Sequence, residues 1–235
     1  MFRDARAIGR VLRRRYDERT LDNKHNPFDE LLYIILSSKT PPGRYRETYR
    51  TLRKRFPRAD ALAHTTPRVV AKTVERGGLA RRRGTQIVAI AKQLKERFGR
   101  VTLAPLGKMD DREAETLLTS LPGVGIKIAR CVLLFALHRK VFPVDAHCFR
   151  VARRLGWVSA ATLTPPVAEE LQKRTPKGMR RSLHVSFVQL GREFCTPSAP
   201  KCRECPIVRF CDTGKRNGGK FRIPRSRLTA ADTYA

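Results

Sequence analysis

Four cysteines fall within seventeen residues near the C-terminal end of this chain: Cys195, Cys202, Cys205 and Cys211, spaced C-x6-C-x2-C-x5-C. Thiols this close, joined by such short loops, form a metal site before they form anything else. A cubane [4Fe–4S] cluster needs four thiolates that wrap one compact body. Structural zinc also takes four cysteines, but usually from two separate C-x2-C knuckles. Here there is one C-x2-C pair with unequal outer arms. The pattern therefore favours the cluster over zinc, and either metal over a disulfide pair.

Lys and Arg number 50 against 21 Asp and Glu, a formal net charge of +29. The excess runs through the whole chain. A polyanionic partner follows, nucleic acid first and an acidic membrane surface second. Salt-sensitive phosphate binding is the expected consequence. No apolar run reaches the 18 or more residues of a membrane-spanning helix. The start, with Ile8, Leu12 and Tyr16 on one stripe, reads as an amphipathic helix without the apolar core of a secretory signal. An intracellular setting, where thiols stay reduced, is expected.

The periodicity is helical throughout, and no convincing strand pair is found, so the chain is expected to be all-α. Asn26-Pro27 opens a helix over 28–38 whose sides are mostly apolar. Tyr45, Tyr49, Leu52 and Phe56 make the next stripe. Thr66-Pro67 starts a helix that Gly77-Gly78 closes, and Ile87, Ile90, Leu94 and Phe98 mark a long helix ending at Gly99. Asp110 or Asp111 caps 112–121, the turn Pro122-Gly-Val-Gly125 follows, and a helix covers 126–137. Asp145 precedes a helix over 146–155, and helices over 167–174 and 179–194 bring the total to about ten before the cysteine loop. The stretch from Gly214 onward has no periodicity and is expected to be a flexible basic tail.

Gly123 and Gly125 allow a sharp turn and a close backbone approach. The turn places N–H groups, Val124 between them, at a helix start that favours an anion. A DNA phosphate is the natural anion, held without sequence reading; an ordinary tight hairpin between helices is the plainer account. Lys127 lies in the first turn after it, where the dipole disfavours a charged lysine. A neutral amine there can attack a sugar C1′ and form a Schiff base, although most lysines are solvated or bind phosphate. Asp145 stands where a helix N-cap belongs. Its carboxylate could also stabilise an oxocarbenium-like sugar.

Leu121–Arg130 (LPGVGIKIAR), Val144–Val151 (VDAHCFRV) and the cysteine spacing occur in one order, with Lys127 18 residues before Asp145. Together they resemble the endonuclease III family of helix-hairpin-helix DNA glycosylases, over roughly residues 1–213. The resemblance implies two helical lobes. One is a six-helix barrel at about 24–140, carrying the helix-hairpin-helix at about 112–137. The other is a discontinuous iron–sulfur lobe at 1–23 and 141–213. A groove between them would take double-stranded DNA, with the target nucleotide flipped from the stack. The family's catalytic pair maps onto Lys127 and Asp145. A lysine at the first position implies a glycosylase with abasic-site lyase activity, and the expected targets are damaged, oxidised pyrimidines. A monomer at the nucleoid of a bacterial cell is the expected form.

The pocket segment departs from the family. Lys39 replaces the expected Gln and Pro42 the expected Asp, while the inserting leucine is kept as Gly78-Leu79. Gap filling by Lys39 and Leu79 is altered, because an ammonium is a poor substitute for a stacked amide. A related glycosylase for deaminated or mismatched bases is thus a rival reading. A non-catalytic DNA-binding or redox-sensing module is another. Cys131 and Cys148 read as core thiols, and His147 as structural or phosphate-facing. Arg150, Arg153 and Arg154 line the DNA side, support the cluster lobe or form a solvated face. Lys201, Arg203 and Arg209, between the cysteines, are expected to face phosphate.

Overall fold

The computed structural model describes Phe2 and residues 4–216. Ten α-helices precede the cysteine loop among them: α1 (Ala5–Arg13), α2 (Pro27–Ser37), α3 (Pro42–Arg55), α4 (Pro67–Thr73), α5 (Ala80–Phe98), α6 (Asp111–Thr119), α7 (Ile126–Phe135), α8 (Ala146–Arg154), α9 (Pro165–Arg174) and α10 (Arg180–Glu193). A short α11 (Asp212–Arg216) follows the cysteines, and no strand occurs among the described residues. No described helix is long and apolar enough to cross a membrane.

Local chemistry sets most boundaries. The Asn26 side chain accepts from the Phe28 and Asp29 N–H groups, and Pro27 supplies the first helical φ of α2. Pro42 does the same for α3, so the proline that departs from the family pattern is a helix starter. Asp110 and Glu113 form a reciprocal capping box at α6. Gly99 ends α5 at φ 72°.

Three expectations need correction. α1 stops at Arg13, so Tyr16 lies beyond it; the chain turns at Asp17, and the Tyr16 hydroxyl donates to Glu193 Oε2 at 2.8 Å. α4 ends at Thr73, and the chain tightens into a separate 3₁₀ turn, Glu75–Gly77, that Gly78 closes. Gly214–Arg216 belong to α11, where the Gly214 N–H donates to Cys211 Sγ at 3.4 Å. The rest of the expected tail, 217–235, lies outside the described residues.

The described residues form two compact units: Asn23–Arg139, and those up to Asp22 together with those from Lys140 onward. In the first, α2 packs on α3 and α7. Leu31, Leu32 and Leu36 are fully buried there, and such side chains stabilise by about 1.5–3 kcal/mol each. α4 lies hard against α5: a Cβ on Gly84 would come within 2.4 Å of the Pro67 carbonyl oxygen. In the second unit, α10 packs against α1 and α8, and the Phe2 ring stacks on Trp157 with centroids 4.6 Å apart.

Candidate functional site

The hairpin between α6 and α7 is built for a close approach at its tip. Gly123 takes φ 68°, the Val124 N–H closes the turn on Leu121 O at 3.1 Å, and Gln86 Nε2 braces Pro122 O at 3.1 Å. Below the tip, buried Arg130 pairs through Nε with Glu115 Oε2 at 2.7 Å and ties α7 to α6. Gly125 is the N-cap of α7, no side chain caps the helix there, and a Cβ at Gly125 would meet nothing within 4 Å. A side chain at this N-cap would thus meet open space, and a glycine offers the first amides of α7 no side-chain acceptor of its own. The Val124 side chain is buried and its N–H is used in the turn.

Lys127 is half-buried in the first turn of α7. Sequence reasoning missed the group set against it. Glu30, in the first turn of α2, is 0% exposed. It accepts from Asn23 Nδ2 at 2.5 Å and from the Lys24 N–H at 2.6 Å. Burial pushes its carboxyl up to about 7; those two hydrogen bonds and the positive charges of Lys127 and Lys24 pull the other way. The signal in the sequence was the acidic pair Asp29-Glu30 at the start of an apolar run.

Lys39 and Leu79 are exposed on two loops of the same unit. Both are non-glycine residues in the left-handed region, at φ 55° and 52°. Each such residue costs about 1–2 kcal/mol and persists only where its surroundings hold it. Among the described residues, Leu79 and Val69 are the large apolar side chains left exposed.

Asp145 sits in the other unit as the N-cap of α8, its Oδ1 accepting from the Cys148 N–H at 2.8 Å. Cys148 is buried with its Sγ 3.4 Å from His184 Nδ1, and Cys131 is buried in α7, so both are core thiols. His147 is engaged with Arg150 Nη2 at 3.0 Å, and its pKa is lowered, first by burial.

The arginines of α8 support the cysteine loop. Fully buried Arg150 donates to Cys195 O and Gly191 O at 2.8 and 3.1 Å. Arg154 donates to Cys195 Sγ at 3.2 Å and to Thr196 O and Pro197 O at 2.8 Å each. Arg153 bonds Ala161 O instead. The Cys205 thiol is pushed up to about 12, chiefly by burial, with Cys195, Cys211 and Cys202 adding to the shift; Cys202 and Cys211 are raised for the same reason. Cys195, Cys202 and Cys211 thus lie near enough to Cys205 to act on its ionisation. Among the described residues no three His, Cys, Asp or Glu side chains form the shell of a single metal ion. Four mutually interacting thiols, two of them accepting N–H bonds from Arg154 and Gly214, fit a thiolate-ligated iron–sulfur group in donor chemistry. Lys201, Arg203 and Arg209 are exposed on that loop.

Comparison with known proteins bears on the same residues. Positions 32–177 match the family model of the HhH-GPD superfamily base excision DNA repair proteins. The chain is 31% identical over 194 residues to endonuclease III of Thermotoga maritima, covering 82% of this chain and 86% of that protein. It is 30% identical over 169 residues to DEMETER-like protein 2 of Arabidopsis thaliana, covering 65% of this chain and 13% of that much longer protein. A solved non-covalent endonuclease III–DNA complex superposes with a TM-score of 0.76 at 22% identity, over 92% of this chain and 95% of that one. The chain belongs to the endonuclease III family of the HhH-GPD superfamily of base excision DNA repair proteins.

Proposed function

We propose that this DNA glycosylase and abasic-site lyase removes oxidised pyrimidines from duplex DNA through a Schiff base on Lys127. The observation that carries the reading is Lys127 itself, half-buried at the start of a helix whose first amides no side chain caps. Those amides, with Gly123 and Gly125, would hold a DNA phosphate beside the reacting sugar. The Lys127 amine attacks C1′ as the base departs with its bonding pair, and loss of the C1′ ring oxygen bond gives the imine. A proton then leaves C2′ and the 3′ phosphate is eliminated. Asp145, held rigid by its cap bond, stabilises the positive sugar and assists proton transfer. Lys39 and Leu79 fill the gap left by the flipped nucleotide.

Cys195, Cys202, Cys205 and Cys211 hold a [4Fe–4S] cluster in this reading. Bound there, the cluster fixes the basic loop, so that Lys201 and Arg203 face phosphate. The lobes follow the same reading: a helical barrel at 24–140, and an iron–sulfur lobe at 1–23 and 141–213. The protein works as a monomer inside a bacterial cell.

Trapping tests the chemistry. With abasic-site duplex and borohydride, the wild type should form a covalent adduct and Lys127→Ala should not. No adduct, or an undiminished one in the variant, would sink the lyase route. A panel of labelled duplexes tests the substrate: excision of uracil or mismatched thymine, without oxidised pyrimidines, rejects that assignment. The broad visible band of an iron–sulfur protein should vanish in Cys202→Ala; a colourless protein with stoichiometric zinc refutes the cluster.

A further inference from the structure

Arg83 lies in the first turn of α5 and is 2% exposed. Its guanidinium is held by neutral oxygens from two loops about forty residues apart. Nη1 donates to Gly77 O at 2.7 Å and Gly78 O at 2.8 Å. Nη2 donates to Ser38 O at 2.6 Å and Thr40 Oγ1 at 2.8 Å. The Thr40 hydroxyl donates in turn to Gly77 O at 2.9 Å, so the two loops are also joined directly. Lys39 lies between Ser38 and Thr40, and Leu79 follows Gly78. Both are exposed residues whose backbones are held at positive φ, as Asp4, Asp22 and His138 are elsewhere; only Lys39 and Leu79 adjoin the oxygens that Arg83 holds.

Burying a cation is costly unless its hydrogen bonds are met. Here they are met by loop carbonyls, in a geometry that only a planar, multi-donor fork can satisfy at once. A strained residue at each loop tip, with one buried clamp beneath both, is the arrangement expected when surroundings over-determine a functional conformation. We propose that Arg83 is a positioning residue that locks the loops together, so that Lys39 and Leu79 enter the duplex as one two-pronged wedge. The inference rests on the gap-filling role given to those two residues above.

The test compares Arg83→Lys and Thr40→Val with the wild-type holoprotein on two substrates. Flipping is read from 2-aminopurine fluorescence in a duplex, and lysine chemistry from borohydride trapping on a single-stranded abasic oligonucleotide, which needs no wedge. Arg83→Lys keeps the charge but concentrates its donors at one point. Flipping should slow by about tenfold, while single-strand trapping stays within about twofold. Thr40→Val, which removes the hydroxyl link to Gly77 and one of the four acceptors of Arg83, should slow flipping by a smaller factor. The losses from Lys39→Ala and Leu79→Ala should depend on each other in wild type and become independent in Arg83→Lys. Equal losses on both substrates, or unchanged flipping, would overturn the proposal. If Arg83→Lys fails to fold, Thr40→Val decides by the same criteria. A wild type that flips the base but never traps would fault the lyase reading and leave the wedge standing.

Discussion

Glu30 shows how much a single buried residue can set. Its carboxyl is pushed up from 4.5 to about 7 by burial, so the folded chain holds that proton to a higher pH than the unfolded chain does. Stability is therefore fully present below about pH 4.5 and falls as pH rises toward 7, by about 3 kcal/mol at most. Glu30→Gln should abolish this fall, since the Asn23 amide can turn to meet the new donor; chemical denaturation across that pH range checks it. An unchanged profile in the variant would assign the effect to another group. The same scale holds the main surprises at the site. The Lys39 and Leu79 backbones are strained, and the Val124 side chain is buried under the hairpin turn.

Among elements, the contact of α4 with α5 tolerates least. A Cβ on Gly84 would meet the Pro67 carbonyl oxygen at 2.4 Å and the Ala71 nitrogen at 2.8 Å, both backbone atoms that cannot rotate away. Gly84→Ala should cost about 1–3 kcal/mol despite the better helix propensity of alanine. Thermal unfolding would register it as a drop in Tm, and a rise would show that the helices can part. The α5 N-terminus, which carries Leu79 and Arg83, would be disturbed with it. α8 presents the other element-scale lesson. Its sequence allowed a solvated basic face, yet Arg150 and Arg154 turn inward and take up carbonyls of the cysteine loop. Polar backbone left bare by an irregular loop has to be met from somewhere, and two guanidinium groups meet it here.

For the whole molecule, a net charge of +29 makes DNA affinity a steep function of salt. Lys201→Ala and Arg203→Ala should each reduce the slope of log K against log salt by about one and weaken binding alike on all sequences. Duplex titrations at several salt concentrations measure this, and an unchanged slope would remove those residues from the phosphate contacts. Composition and periodicity carried the all-helical class and the polyanionic partner, and caps and prolines placed the helix starts at Pro27, Pro67 and Ala146. Caps, prolines and a 3.6-residue stripe are local, and charge simply adds along the chain. Motif order carried the family, because the spacing from the hairpin glycines to Lys127, Asp145 and the cysteines is written in the chain. Tertiary structure alone decided that Glu30 would be buried with its charge suppressed near Lys127, that Arg83 would bind two distant loops, and that the α8 arginines would hold the cysteine loop. Each of these depends on which backbone oxygens and charges residues far apart in sequence bring into a space closed to water, and no local pattern encodes that.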